Sequence, residues 1–161
     1  MKLISFGDSF LWGSDLPNQD YPKKKSQQTW PAIIASKLGL EYECKAVPGC
    51  GNFHIYKNII ESVTHNTICL FLINWTWIDR FDYYDTEIHS KWNTVRPSLD
   101  NSVKDNFYYK NFHSELKDKI TSLTYIFSAL QILKESRVKF LMTYMDDLLF
   151  DQQWNSPSSV K

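Results

Sequence analysis

The sequence predicts an α/β fold, a three-layer α/β/α sandwich around a mostly parallel sheet. The first half of the chain alternates between short apolar runs and amphipathic stretches, in the order strand, helix, strand, helix, strand. Such alternation favours parallel strands joined by right-handed crossovers. The stretch 67–73, Thr-Ile-Cys-Leu-Phe-Leu-Ile, is apolar over nearly its whole length, as expected of a central strand that is buried on both faces.

The remaining strands and the first long helix follow from apolar runs and turn residues. We predict a first strand at 2–6, a second at 40–47 and a fourth at 138–142. A helix is predicted over 29–38, because Pro31 suits a position in the first turn. Its apolar stripe consists of Trp30, Ile33, Ile34 and Leu38.

Two further helices show an apolar stripe, which in an amphipathic helix normally faces the core. One begins near Asn52, a candidate cap, and its inner face is predicted to be Ile55, Ile59, Ile60 and Val63. The other covers 114–134, where apolar residues recur at steps of four and three. These residues are Leu116, Ile120, Leu123, Phe127 and Leu130.

The segment 77–112 interrupts this alternation, because it is rich in Trp, Tyr, Asp and Asn and has no sustained period. A connection of this length inside one domain is usually functional or disordered, and its aromatic content argues against disorder. We interpret the segment as an ordered insertion or lid above the strand ends, within a single domain that spans 1–161.

Composition excludes several classes of partner. Eighteen basic residues balance eighteen acidic ones, so neither nucleic acid nor a membrane surface is an expected partner. The sequence shows no signal peptide and no apolar run long enough to span a bilayer, which favours a cytoplasmic location. An odd number of cysteines, Cys44, Cys50 and Cys69, indicates free thiols rather than a disulfide framework or a metal site. The oligomeric state is left open.

Gly7-Asp8-Ser9 ends the first predicted strand. A glycine there allows a tight bend, and the following serine can point out of the sheet edge, as at a nucleophile elbow. The same three residues also fit an ordinary turn in which Asp8 or Ser9 caps a helix, and taken alone they favour that interpretation.

Two further clusters follow the second and third strands. Pro48-Gly49-Cys50-Gly51 precedes a helix, where free N–H groups favour an anion, although any α/β protein can have such a turn. Asn74-Trp75-Thr76-Trp77 follows the third strand. Asp79 and Arg80, just downstream, either add charge to a pocket or form a surface ion pair.

In this order, the three clusters resemble blocks I to III of the GDSL/SGNH hydrolase family, with Phe10 where the family has Leu. The resemblance implies a flavodoxin-like SGNH fold that needs no metal or cofactor. It implies that Ser9 is the nucleophile and that the N–H groups of Ser9 and Gly49 (Gly51 being the second choice) form an oxyanion hole.

The third block departs from the family pattern Gly-x-Asn-Asp. Asn74 aligns with the family's Gly and Thr76 with its Asn, so both are candidates for the third oxyanion donor. The candidate substrate-binding residues around these positions are Asp8, Trp75, Trp77 and Arg80.

The family's Asp-x-x-His block does not occur in the chain. The histidines are His54, His65, His89 and His113, and each is more often a packed or surface residue than a base. We therefore expect a C-terminally incomplete domain that lacks its last strand and helix, with the catalytic histidine supplied by a longer chain. Asp146-Asp147 follows the fourth strand and is either a solvated turn or part of the site mouth.

These observations predict a serine esterase or acyl hydrolase. Its aromatic residues suit sugar faces or acyl chains, so the expected substrate is a small-molecule or carbohydrate ester, such as an O-acetylated carbohydrate. The alternative is a catalytically silent glycan- or protein-binding module on the same scaffold, which the absent Asp-x-x-His block favours. A nucleotide or phosphate binder ranks last, because the chain has no Gly-x-Gly-x-x-Gly motif and no P-loop.

Overall fold

A computed structural model of the 161-residue chain describes residues 1–17, 25–63, 69–86, 90–97 and 103–150. The strands in this part of the chain are β1 (Lys2–Phe6), β2 (Glu41–Cys44), β3 (Cys69–Trp75), β4 (Phe81–Asp85), β5 (Lys91–Val95) and β6 (Lys139–Tyr144). The helices are α1 (Ser9–Trp12), α2 (Trp30–Lys37), α3 (Asn52–Val63), α4 (Val103–Asn111) and α5 (Glu115–Glu135). A 3-10 turn, Asp147–Phe150, follows β6.

Four parallel strands form the central sheet in the order β2-β1-β3-β6. Lys2 of β1 lies opposite Glu41 of β2 on one side and opposite Cys69 of β3 on the other. β6 extends the sheet beyond β3, and Trp75 lies opposite Tyr144 at the carboxyl end. The predicted α/β fold with a mostly parallel sheet is therefore confirmed. The predicted start of the third strand, at Thr67, lies outside the described residues.

The two inner strands carry the core. Leu3, Ile4 and Phe6 of β1 and Phe71 and Ile73 of β3 have no exposed surface. The rings of Phe6 and Phe71 lie 4.8 Å apart between their centroids. Each such side chain contributes roughly 1.5–3 kcal/mol when it is fully buried. This burial holds β1 firmly in the sheet. The turn at the carboxyl end of β1 therefore has a fixed position.

The helices cover the sheet on both faces. On one face, Ala35 of α2 packs with Leu3 and Leu72. On the other face, α3 and α5 contribute the buried side chains Ile55, Ile59, Ala129 and Leu133.

The face of α2 that contacts the sheet is not the predicted stripe. Ile33 is 43% exposed and Leu38 59% exposed, whereas Ala32 and Ala35 are buried. Trp30 and Ile34 are partly buried against the core, as predicted. Small alanine side chains let the helix axis approach the sheet closely, so packing rather than apolar content decides which side faces inward.

The predicted stripe of α5 is also wrong, because most of it is exposed: Leu116 37%, Ile120 56%, Leu123 37% and Phe127 62%. The buried residues are Asp118, Lys119, Ser122, Ala129 and Leu133. Asp118 accepts hydrogen bonds in the interior, and Ser122 contacts the side chain of Asn52. Buried polar groups need their partners. These contacts therefore turn the polar part of α5 inward.

The segment 77–112 contains an antiparallel ribbon and a helix. β4 and β5 pair with Phe81 opposite Val95, and α4 follows. Aromatic contacts tie the segment to the domain, including Phe53 with Trp92 at 4.9 Å and Phe81 with Tyr108 at 4.7 Å. The ribbon is half-exposed on both faces, which explains why no sustained period marks it. Its role as a lid stays a prediction.

Other sequence-based expectations concern the cysteines and the membrane. Cys44, Cys50 and Cys69 are buried free thiols. None of the helices in the described ranges is both long enough and apolar enough to cross a bilayer.

The orientation of α5 can be tested with two substitutions on the same helix. Leu133→Ala should lower the free energy of unfolding by about 2–5 kcal/mol, because it leaves a cavity under the helix. Ile120→Ala, the matched control on the exposed stripe, should change it by about 0.5 kcal/mol or less. Urea unfolding followed by circular dichroism measures both. A larger loss for Ile120→Ala than for Leu133→Ala would show that the stripe faces the core.

Candidate active site

The strand order places a crevice above the carboxyl end of β1. The chain passes from β1 to β2 on one side and then returns to β3 on the other. In open parallel sheets, such a switch point is where ligands bind, outside the carboxyl ends of the strands. All three predicted clusters, at 7–9, 48–51 and 74–80, follow the strands that meet here.

Gly7 lets β1 end in close contact with β3. A Cβ atom at this position would lie 3.0 Å from Leu11 Cδ2 and 3.2 Å from the carbonyl oxygen of Asn74. The Gly7 carbonyl also accepts a hydrogen bond of 2.9 Å from the N–H of Val47. The turn that carries Ser9 is therefore held against the ends of β2 and β3.

Asp8 is fully buried beneath this turn. One carboxylate oxygen caps α1 by accepting a hydrogen bond of 3.1 Å from the N–H of Phe10. The other accepts a hydrogen bond of 2.7 Å from the Thr76 hydroxyl and one of 3.0 Å from Arg80. The capping interpretation of Asp8 is confirmed. Its predicted contact with substrate is not supported, because no part of the side chain reaches the surface.

Arg80 links the ends of three strands through one nitrogen, Nη1. This nitrogen lies 3.0 Å from Asp8 Oδ2, 2.8 Å from the Thr76 hydroxyl and 3.0 Å from the carbonyl oxygen of Cys50. The Arg80 side chain is 13% exposed, so the ion pair with Asp8 is largely shielded from water. A shielded pair of this kind holds its surroundings together, since either charge alone would be buried without a partner.

The two candidates for the third oxyanion donor have other partners. Thr76 is fully buried, and its hydroxyl donates to Asp8 and accepts from Arg80. Asn74 is 7% exposed, and its Oδ1 accepts a hydrogen bond of 2.8 Å from the Thr143 hydroxyl. Neither side chain lines the cleft beside Ser9. Thr76 is therefore part of the buried network rather than of the cleft wall.

The cleft beside Ser9 has a volume of about 320 Å³. Its lining residues are Ser9, Ser14, Asp15, Pro48, Gly49, Arg80 and Arg96. Ser9 is partly exposed and is the first residue of α1, so its N–H is one of the donors that a helix leaves unpaired. Within the described ranges, no backbone acceptor bonds the N–H of Ser9 or of Gly49. Ser9 and Gly49, whose N–H groups have no described backbone acceptor, therefore line the same cleft.

Gly49 has a φ of +75°, a left-handed conformation that favours glycine. A Cβ atom here would lie 2.6 Å from Nη1 of Arg96. The left-handed backbone is the reason that favours glycine here, because the Arg96 guanidinium over the turn is the end of a flexible side chain and could shift. Gly51, the second choice for the oxyanion N–H, instead donates a hydrogen bond of 2.9 Å to Asp82.

Asn52, the predicted cap of α3, does not cap the helix. Asn52 is buried, and its side chain bonds the backbone N–H and carbonyl of Thr76. Asp82 of β4 caps the helix instead, accepting hydrogen bonds of 2.9 Å from the N–H groups of Gly51 and His54. Carboxylates are favourable at a helix N-terminus. No sequence motif marks this capping, because Asp82 lies thirty residues further along the chain.

Trp75 and Trp77 differ in how much of each side chain is exposed to solvent. Trp75 is 2% exposed and belongs to the core, so its predicted contact with substrate is not supported. Trp77 is 39% exposed and lines a cavity that shares Arg80 and Arg96 with the Ser9 cleft. Of the residues proposed to bind substrate, Trp77 and Arg80 therefore border this surface.

The histidines that the structure describes do not border Ser9. His54 is on α3, where burial lowers its pKa. His113 bonds Asp118 through Nδ1 at 2.8 Å, and its ring contacts that of Tyr109. His65 and His89 lie outside the described residues. The described residues therefore supply no histidine that could act as the base for Ser9.

Three other features of the described residues bear on the site. Burial raises the pKa of the Cys50 thiol well above its usual value, so this neighbour of the cleft is a poor nucleophile. Within the described ranges, no three His, Cys, Asp or Glu side chains come together as metal ligands would. Asp146 accepts a hydrogen bond of 2.9 Å from the N–H of Ile78, so it braces the loop after β3.

Comparison with known proteins identifies a similar solved structure but no family. No family model and no curated protein matches the chain. Among solved structures, the chain is similar to TesA, with 11% sequence identity and a TM-score of 0.49. The match covers 96% of this chain and 66% of the TesA chain. At these values the likeness says nothing about substrate or activity. The α/β class rests on the strand order described above.

The shielded ion pair can be tested by a double-mutant cycle. Asp8→Ala should lower the free energy of unfolding by about 3–5 kcal/mol, because it leaves the Arg80 charge without its partner. The double variant Asp8→Ala/Arg80→Met should lose clearly less than the sum of the two single losses. Glu61→Ala, which breaks the exposed pair with Lys57, should cost about 0.5 kcal/mol or less. Urea unfolding measures all four, and strictly additive losses would contradict the coupling.

Proposed function

We propose that the chain is a serine ester hydrolase of the GDSL/SGNH type, with Ser9 as the nucleophile. The observation that carries the proposal is the position of Ser9 at the switch point of the sheet, partly exposed in a cleft that it shares with Gly49. The resemblance of the sequence around Gly7-Asp8-Ser9 to the family's first block supports the same assignment.

The reaction would proceed through an acyl-serine intermediate. Ser9 Oγ forms a bond to the ester carbonyl carbon while its proton passes to a general base, and the carbonyl oxygen becomes negatively charged. The N–H groups of Ser9 and Gly49 would hold that oxygen, a contribution typically worth about 10²–10³-fold in rate for each donor. The C–O bond to the alcohol then breaks, the alcohol takes the proton, and water releases the acid by the same steps.

The oxyanion hole that we propose consists of these two backbone donors. Thr76 already donates its hydroxyl proton to Asp8, so it is not a third donor. Arg80 borders the same cleft and adds positive charge near the developing oxyanion. A histidine base would have to come from outside the described residues, because neither His54 nor His113 borders the cleft.

The substrate is assigned only as an ester. The sequence-based expectation of a carbohydrate ester rests on the aromatic residues. Among the described residues, Phe10 and Trp30 line a cavity that also contains Ser9, and the exposed Trp77 borders the cavity that contains Arg96. A sugar ring could stack on that exposed indole. Trp77→Ala is the variant that would show whether a given ester uses this surface.

A catalytically silent binding module is the second candidate. The specific observation in its favour is that no described histidine borders Ser9, and a serine hydroxyl without a base is a poor nucleophile. In this case the same cleft would bind its ligand without turnover.

A fluorophosphonate probe distinguishes the two candidates. The full chain should gain the mass of one adduct, and Ser9→Ala should lose at least about 99% of the labelling because the reacting oxygen is gone. Ser14→Ala is the matched control, since Ser14 lines the same cleft and should leave labelling intact. Intact-protein mass spectrometry measures the adduct. An unlabelled wild-type protein, or an adduct that persists in Ser9→Ala, would reject the hydrolase and leave the binding module.

A further inference from the structure

Two arginines border the Ser9 cleft from different parts of the chain. Arg80 follows β3, and Arg96 follows β5 at the end of the antiparallel ribbon. Both also line the neighbouring cavity that contains Trp77. The loop after β3 of the central sheet places the guanidinium group of Arg80 at this crevice. The ribbon adds a second guanidinium group, that of Arg96.

Arg80 is already held in place before any ligand arrives. Nη1 makes all three of its hydrogen bonds, to Asp8, Thr76 and the carbonyl of Cys50. The part of the chain that the structure describes contains no acceptor for Nε or Nη2. A guanidinium that is fixed on one side can bind a planar oxyanion without losing further rotamer freedom.

Arg96 differs in that no described carboxylate pairs with it. It is exposed, and its Nη1 lies over Gly49, within 2.6 Å of the position that a Cβ atom would take. An exposed arginine usually finds an ion pair or remains in solvent. This one lies instead against the turn that supplies a backbone N–H to the cleft.

Of the two arginines, Arg80 is balanced by the carboxylate of Asp8, whereas no described carboxylate pairs with Arg96. Asp8 is fully buried and already paired, and Asp82 is occupied by the N–H groups of Gly51 and His54. Asp79 lines the neighbouring cavity, where burial raises the pKa of its carboxyl group. Asp15, which is exposed at the edge, is the remaining carboxylate of the lining.

Among the described side chains that line the cleft, charged donors outnumber charged acceptors. The two guanidinium groups and the N–H groups of Ser9 and Gly49 are all donors, whereas Asp15 is the one charged acceptor among the lining residues. A site of this composition suits a ligand that brings several acceptor oxygens and a negative charge.

We infer that Arg80 and Arg96 form a subsite for an anionic group, a carboxylate or a phosphate, on the molecule that binds beside Ser9. The inference rests on the proposed function in one respect, that the ligand is an ester attacked by Ser9. It narrows the substrate class from any ester to an ester that carries a negative charge. In this proposal, the role of the antiparallel ribbon is to place Arg96 at the anion subsite.

The first experiment compares two matched esters. One is the 4-nitrophenyl monoester of succinate, which carries a free carboxylate, and the other is the same ester with that carboxylate methylated. The wild-type protein should prefer the charged ester in kcat/KM, and Arg96→Gln should reduce this preference about tenfold. Arg137→Gln is the matched control, because Arg137 is exposed and precedes β6, at the opposite edge of the sheet. It should leave the preference unchanged.

The second experiment does not depend on turnover. Isothermal titration with succinate and with inorganic phosphate measures binding to the wild-type protein and to Ser9→Ala. Binding of either anion should weaken about tenfold in Arg96→Gln and also fall as sodium chloride is raised, because salt screens a charge interaction at an exposed site. Arg96→Lys keeps the charge but not the planar fork, so it should retain part of the affinity.

The results of these experiments test the proposed anion subsite and the proposed hydrolase activity independently. Binding that depends on Arg96 in a protein that the fluorophosphonate does not label supports the anion subsite and rejects the esterase. Labelling of Ser9 without Arg96-dependent binding, and without preference for the charged ester, overturns the subsite and keeps the esterase. Equal weakening of anion binding in Arg137→Gln and Arg96→Gln would likewise overturn it.

Discussion

The buried contact between Asp8 and Arg80 is the interaction on which the candidate site depends. A carboxylate with no exposed surface needs compensating donors, and Asp8 has three: Arg80, the Thr76 hydroxyl and the N–H of Phe10. These partners come from the ends of β1 and β3, and Arg80 reaches the carbonyl of Cys50 beyond β2. Satisfying one buried charge therefore fixes three loops relative to each other and places Ser9 at the edge of the cleft.

The antiparallel ribbon depends on a second carboxylate, that of Asp82. It accepts the N–H groups of Gly51 and His54 and a hydrogen bond of 2.6 Å from the hydroxyl of Thr94. One side chain thus caps α3, tightens the glycine-rich turn and joins β4 to β5. Because the ribbon is anchored at that turn, Arg96 at its end lies over the cleft. The segment 77–112 consequently supplies part of the wall of the site.

The sequence predicted the parts of the site that depend on local order. Ser9 and Gly49 each follow a predicted strand, and glycine marks both turns, so their meeting at one edge follows from parallel pairing. The roles of Asp8 and Thr76 could not be derived in this way. Their function follows from burial and from Arg80, which is a partner that no spacing rule identifies. Arg96 had no sequence signal, since it lies in a segment without a sustained period.

The chain by itself determined the α/β class, the parallel strands and the order of the turns, because apolar runs and glycines record strand lengths and bends locally. Only the tertiary structure decided which helix faces pack inward. On α5 the periodic apolar stripe is exposed, whereas Asp118 and Ser122 are buried with partners on α4 and α3. The physical reason is that a buried polar group needs a specific partner, which can be far away along the chain. The number of residues between two polar groups does not predict whether they meet in the folded protein.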